Sequence, residues 1–356
     1  MPSTPELGLI EGFFGLPWSW EERAETVRFL APHGYGFYFY APKADRCLRK
    51  RWQELHPAEE MAKLAALRAH CRAHGVRFGL GLSPFELHLH EGDGWKKPLA
   101  AKLDALAELE ADDLAILFDD MRGDIPDLAE RQAAIVHFAA EHGAAKRLLF
   151  CPSYYSDDPV LDVAFGRRPE GYLADLGRLL DPAVEVFWTG EEVCSAEFSP
   201  GHLARVAEAL RRKPFLWDNY PVNDGARMSQ HLHLRGFSGR PASIGAYVAG
   251  HAINPASQAV LSRIPALTLA ESYGAGEAYE YGAAFEPAAE AVLGPELARR
   301  VRLDLIVLQD RGRDRLGERL ARLRARYAAF DHPGAREIVA WLDGRWNVTD
   351  AEVQTQ

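Results

Sequence analysis

Cysteine is scarce in this chain. Four occur in 356 residues, Cys47, Cys71, Cys151 and Cys194, and none stand in CxxC spacing. That excludes a disulfide scaffold, and the expectation is four free, mostly buried thiols in a reducing compartment. No run of about 18 apolar residues exists, so no membrane span is expected. Residues 1–9 lack a basic n-region and an apolar h-region; no secretory signal is visible, and a cytoplasmic location is expected. Basic side chains are outnumbered, 41 against 51 acidic, for a formal charge of −10. This balance argues against a nucleic acid or an anionic membrane as the partner of the whole chain. No low-complexity tract or internal repeat appears. The composition, 47% hydrophobic and 26% charged, is that of a globular chain able to bury a large core without a disulfide or metal staple.

What is present is alternation. Short apolar or aromatic runs occur at 7–14, 36–40, 76–82, 114–118, 147–151, 184–188, 214–217 and 244–249. They are nearly continuous rather than alternating, as strands covered on both faces should be. Between them lie helix-forming stretches. Trp20–Leu30 follows a Ser19-x-x-Glu22 capping box, residues 57–74 start at Pro57 and stop before Gly75, and Leu128–His142 stops before Gly143. Eight strands alternating with helices predict an α/β fold, a (β/α)8 TIM barrel, with a doubly wound open sheet as the competitor. A barrel over 1–265 followed by a helical C-terminal region over 266–356 is the expected organisation. Ten arginines lie between Arg299 and Arg326 against four acidic residues. Without interleaved aromatics they read as a solvated helical surface with ion pairs rather than a nucleic-acid face.

A barrel places its chemistry at the carboxyl ends of its strands. There the chain carries Gly12, Lys43, Ser83, Asp119 and Asp120, Tyr154 and Tyr155, Thr189, Trp217 to Asn219, and Asn254. The Leu117-Phe118-Asp119-Asp120 run is the sharpest of these. Adjacent carboxylates suit a division of labour, one gripping a substrate group and the other trading a proton, and like charges so close push one pKa up. A helix cap or a divalent-ion site is the alternative for this pair. The run from Trp217 to Asp224 mixes an aromatic face, amides and carboxylates, as a sugar site needs, though the same residues favour turns. After the first strand, Gly12 permits close backbone approach; after the second, Lys43 offers a charged donor. His88-x-His90 and His231-x-His233 read as polar loop histidines rather than metal ligands. No phosphate loop is present, and Ser153 lacks a nucleophile-elbow context. No metal and no cofactor are expected.

The runs EGFFGLPW, YAPK-x-D, ILFDD, FCPSYY, VFWTG, LWDNYPVND and INP resemble, in order, the motifs of glycoside hydrolase family 84, over residues 8 to about 255. The resemblance implies a retaining exo-β-N-acetylglucosaminidase, including protein O-GlcNAcases, acting through the substrate's own acetamido oxygen and an oxazoline. Substrate assistance is an exception to the two-carboxylate scheme. Carried over position by position, Asp119 orients the acetamido group and Asp120 is the general acid and then base. Tyr155 steadies the acetamido oxygen, and Asn219 and Trp217 line its pocket. Asp224 with Asn254 accepts from the 4- and 6-hydroxyls, and Lys43 with the Gly12 backbone holds the 3-hydroxyl side. The implied partner is a GlcNAc-bearing glycoprotein, peptide or glycan. The chain departs from the family at Phe14, at Ala44, in the segment after Asp45 and at 270–274, positions on the rim. Two other functions compete: a sugar-binding protein without turnover, and a glycosidase for another acetamido sugar or a glycosaminoglycan.

Overall fold

The computed structural model describes residues 4–348. Eight parallel strands close into a barrel in sequence order, β1 Glu6–Glu11, β2 Tyr35–Tyr40, β3 Arg77–Leu82, β4 Asp113–Leu117, β5 Arg147–Cys151, β6 Glu185–Trp188, β7 Phe215–Asp218 and β8 Gly250–Ile253. β1 pairs with both β2 and β8, which closes the ring and leaves no open edge. The helices between strands are α1 Trp20–Leu30, α2 Ala58–Ala73, α3 Lys96–Ala107, α4 Leu128–His142, α5 Val160–Phe165, α6 Tyr172–Leu179 and α7 Pro200–Leu210. α8, Arg263–Ala275, completes the ring against the barrel. The capping box at α1 forms in both directions, with Glu22 N–H donating to Ser19 Oγ at 3.2 Å and Ser19 N–H to Glu22 Oε2 at 2.7 Å.

One strand falls elsewhere than the apolar pattern predicts. Residues 244–249 are not β8: Ala242–Ala246 form a 3-10 turn after Pro241, and the strand is Gly250–Ile253. Its centre is His251, fully buried, and a histidine hides the strand from a search for apolar runs. The ring is tolerated there because Nε2 meets Asp218 Oδ2 at 3.0 Å and Nδ1 meets Tyr273 Oη at 2.9 Å. β1 likewise ends at Glu11 rather than running to Phe14, because Gly12 N–H turns back to Ile10 O at 2.8 Å.

Aromatic rings fill the barrel interior. Phe37, Phe39, Phe187, Phe215 and Trp217 meet edge to face with centroids 5.3–6.0 Å apart, a geometry worth about 0.5–1.5 kcal/mol per pair beyond burial. Glycines opposite three of these rings make the room. A Cβ on Gly8 would lie 2.2 Å from the Phe37 ring, and one on Gly79 or Gly250 2.4 Å from Phe39 or Phe215. The amino end of the barrel is closed by charge. Glu6, Arg77, Asp113, Arg147 and Glu185, near the starts of five strands, interleave acid and base. Arg77 pairs with Glu6 and with Asp113 (3.1 Å), and Arg147 with Glu6 (3.3 Å), Asp113 (3.8 Å) and Glu185.

Beyond α8 the helices α9 Tyr281–Leu305, α10 Arg319–Ala328 and α11 Pro333–Leu342 enclose a second core around Val301, Leu308, Tyr327, Ile338 and Trp341. α9 kinks at Gly294, whose φ of 73° precedes Pro295. Several of the clustered arginines are tied down: Arg300 and Arg326 both reach Asp304, and Arg324 reaches Asp343. α11 docks on the loop after β8 through buried Glu337, whose carboxylate accepts from Val260 N–H (2.9 Å) and Leu261 N–H (3.0 Å). Burial pushes this carboxyl up to about 7, against the pull of those two donors. Among the described residues no helix is long and apolar enough to cross a membrane.

Candidate active site

β4 is buried along its whole length and delivers Phe118, Asp119 and Asp120 to the carboxyl mouth of the barrel. Phe118 N–H still holds the β5 ladder through Cys151 O (2.9 Å). Two residues later the chain turns sharply, and Asp120 sits at φ +56°. A left-handed conformation at a non-glycine residue is a strained backbone that must be held by its surroundings. The turn resolves how neighbours on a strand, which point to opposite faces, both line one recess.

The two carboxylates have different surroundings. Asp119 forms a buried ion pair with Lys43 Nζ through Oδ2. Its other oxygen, Oδ1, is buried and has no hydrogen-bond partner among the described residues, which leaves a strong acceptor unsatisfied. Asp120 Oδ1 accepts from the Tyr155 hydroxyl at 2.9 Å. Burial and then the neighbouring Asp119 charge raise the Asp120 pKa; Lys43, Arg49 and Tyr155 pull it back only in part. The Tyr155 hydroxyl is itself pushed well up by burial and by the two aspartates, so it stays a donor.

The opposite wall is built from β7, β8 and the loop after β1. Trp217 Nε1 donates to Asn219 Oδ1 (3.1 Å), Asn254 Nδ2 donates to the same oxygen (2.9 Å), and Asn219 Nδ2 donates to Val193 O (2.8 Å). Gly12 N–H reaches Asn254 Oδ1 at 3.3 Å, and Phe14 N–H donates to Asp224 Oδ2 at 2.7 Å. The glycine at position 12 has a second reason. A Cβ there would lie 2.3 Å from the Trp217 ring, so Gly12 lets the indole reach its seat against the first loop.

The structure brings the sequence-predicted residues together. Gly12, Asp119, Asp120, Tyr155, Trp217, Asn219, Asp224 and Asn254 line one recess, and Lys43 touches it through Asp119. Asp218, in the same run as Trp217, turns away into the wall, where Arg240 holds both its oxygens (2.7 and 2.8 Å). The recess also has Phe14, Cys151, Thr189, Val193 and Val222 in its lining. Arg49 escaped sequence reasoning. It sits in a run of basic residues, of which Arg46, Lys50 and Arg51 are exposed while Arg49 is buried, and nothing in the spacing singles it out.

Three histidines of the two His-x-His pairs, His88, His231 and His233, bond to backbone carbonyls, while His90 is exposed. His88 Nε2 donates to Arg122 O at 2.6 Å, since a carbonyl only accepts, and burial pushes the ring's pKa down to about 4. His231 and His233 use Nδ1 on Gln309 O (2.7 Å) and Pro221 O (3.0 Å). Among the described residues one group has metal-ligand chemistry, Asp45, Cys47 and His56, with ligand atoms within 4.8 Å of one another. Its polar atoms are already spent on the loop after β2: Asp45 takes His56 Nε2 (2.9 Å), Tyr40 Oη (3.1 Å) and Cys47 N–H (2.9 Å).

A closed parallel barrel carries its ligand site at the carboxyl mouth, and paired carboxylates, an indole wall and amides there are the groups a sugar site needs. The chain belongs to the β-N-acetylglucosaminidase family, whose model matches residues 7–305. Protein O-GlcNAcase from Rattus norvegicus is 29% identical over 275 residues, covering 75% of this chain and 30% of that protein. The Mus musculus protein of the same name matches to the same extent. The chain thus spans less than a third of the curated relatives' length. Among solved structures, an O-GlcNAc hydrolase mutant from Thermobaculum terrenum superposes with a TM-score of 0.79 at 26% identity, over 95% of this chain and 80% of that one.

Proposed function

We propose that this chain is a retaining exo-β-N-acetylglucosaminidase that uses the substrate's acetamido oxygen as nucleophile. One observation carries the reading. Of two consecutive carboxylates at the recess, buried Asp119 has an oxygen with no hydrogen-bond partner among the described residues and Asp120 has a raised pKa. Asp119 Oδ1 accepts from the acetamido N–H, which turns the acetamido oxygen onto C1 and adds electron density to it. Asp120 protonates the glycosidic oxygen as the C1–O bond breaks and the oxazoline closes. It then removes a proton from the water that opens the ring, so the anomeric configuration is retained. Lys43 pairs with Asp119 through Oδ2, and Asp120, with its raised pKa, holds the proton. Once Asp120 is protonated it no longer needs the Tyr155 hydroxyl, which turns to steady the acetamido oxygen. Trp217 and Asn219 shape the acetamido end, Asp224 and Asn254 take the far hydroxyls, and Lys43 with the Gly12 backbone takes the 3-hydroxyl. The substrate class is terminal β-linked GlcNAc on a protein, peptide or glycan.

The test is a pair of substrates. An aryl β-N-acetylglucosaminide should be hydrolysed with retention, and the aryl β-glucoside lacking the amide should be nearly inert. Efficient hydrolysis of the glucoside would exclude assistance by the acetamido group. Binding of the aminosugar without turnover would favour the non-catalytic alternative.

A further inference from the structure

We infer that Arg49 is a positioning residue for this reaction, clamping the strained turn that presents Asp120. The inference rests on the reading of Asp119 and Asp120 given above. Arg49 lies on the loop after β2, six residues beyond Lys43, and is 4% exposed. Its two terminal nitrogens donate to backbone carbonyls of the carboxylate pair, Nη1 to Asp119 O at 3.4 Å and Nη2 to Asp120 O at 3.2 Å. These two carbonyls flank the residue held at φ +56°. A left-handed aspartate persists only where neighbours over-determine it, and a planar fork on both carbonyls does so from one side chain.

The guanidinium is itself fixed. Its carbon lies 5.5 Å from the centroids of both Phe14 and Phe85, rings from the loops after β1 and β3. Its own loop is pinned by Ser83 N–H on Leu48 O (2.7 Å) and by Lys43 N–H on Phe13 O (3.3 Å). Nε has no partner among the described residues, so the position is set by the two carbonyls and the rings. Four strand-end loops therefore meet at one cation. Lysine cannot copy this: a single ammonium reaches one carbonyl well and lacks the flat face the rings accept. The cation also biases the proton on Asp120. The charged and titratable groups facing that carboxyl are Asp119, Lys43, Arg49, Tyr155 and the Cys151 thiol, which burial keeps protonated, and losing Arg49 removes one of two cations opposing Asp119.

The experiment compares wild type, Arg49→Lys and Arg49→Met on the aryl β-N-acetylglucosaminide, with thermal unfolding to show that each variant folds. Displacing the acid by a fraction of an ångström is expected to lower kcat on the order of 100-fold, with KM nearly unchanged, since Arg49 does not line the recess. In Arg49→Met the basic limb of the kcat/KM profile should move to higher pH, because the general acid holds its proton longer. Arg49→Lys, which keeps the charge, should lose kcat but leave the limb in place. Should Arg49→Met fail to fold, the kcat loss in Arg49→Lys decides alone. A carbon-NMR titration of the Asp120 carboxyl in wild type and variants reads the same effect without turnover. If wild type hydrolyses nothing, the enzyme reading falls while this titration still judges Arg49. Wild-type kcat in both variants, or an unmoved Asp120 titration in Arg49→Met, overturns the inference.

Discussion

At the amino end of the barrel, Glu6, Asp113 and Glu185 alternate with Arg77 and Arg147, and each carboxylate has a guanidinium partner. At the carboxyl end, Asp119 and Asp120 are consecutive, one carboxylate oxygen is unsatisfied and the backbone is left-handed. The same residue types, on the same eight strands, are arranged for opposite ends. Acids paired with bases across strands fasten the barrel's base. Acids crowded at a mouth store an unfavourable interaction, which the proposed substrate would relieve. The pKa directions follow. Glu6 is pushed up by burial but pulled further down by its bonds and attraction to Arg77 and Arg147, for a net lowering. Asp120 is net raised, by burial first and Asp119 second.

Substitutions at each end should therefore act in opposite ways. The largest expected effect is Asp120→Asn, which keeps shape and removes the proton donor. Turnover of the aryl β-N-acetylglucosaminide should fall about 10²- to 10⁴-fold, less for substrates whose leaving group needs no protonation. Steady-state kinetics across leaving groups checks this, and full activity would break the assignment. Asp119→Asn should lower kcat by about 10²- to 10³-fold, the range for losing one preorganised electrostatic contact to developing charge; an unchanged kcat sinks its role.

Arg147→Met at the base should behave otherwise. It strips partners from Glu6, Asp113 and Glu185 and should cost about 1–3 kcal/mol, read as a lowered midpoint of denaturant unfolding, with kcat unmoved. Loss of activity in the folded variant would show that the two ends are coupled. The smallest effects are in pH dependence. Glu6 has a depressed folded pKa, so its stability is present above the unfolded pKa and is lost as pH falls through the folded value. Asp120 has a raised folded pKa, so its contribution is full below the unfolded pKa and is lost as pH rises through the folded one. Asp120→Asn should thus raise the unfolding temperature at neutral pH and leave it unchanged in acid, while Glu6→Gln should flatten the acid arm. Thermal melts against pH would show it; a destabilised Asp120→Asn at neutral pH would contradict the stored repulsion.

Seven of the eight strands were legible as apolar runs, because a strand buried on both faces has no polar residues to interrupt it. The eighth was not, since His251 occupies its middle and is made acceptable by Asp218 and Tyr273, residues 33 and 22 positions away. The recess-lining residues were legible for a related reason. In a barrel every strand ends at the same mouth, so residues next to each strand end are neighbours whatever their separation in sequence.

What the amino-acid order determined by itself was thus the periodicity, the eight-fold alternation and the set of chemistry-bearing residues at the strand ends. Tertiary structure alone decided the partners. It turned Asp218 into the wall beside Arg240 and left Asp119 facing the recess. It seated the Trp217 ring where Gly12 has no side chain, and it buried Arg49 among exposed neighbours of the same charge. Periodicity is a property of adjacent residues and survives in a linear reading. Electrostatic pairing and close packing depend on distances of 3–6 Å between residues far apart in the chain, and those distances exist only once the barrel has closed.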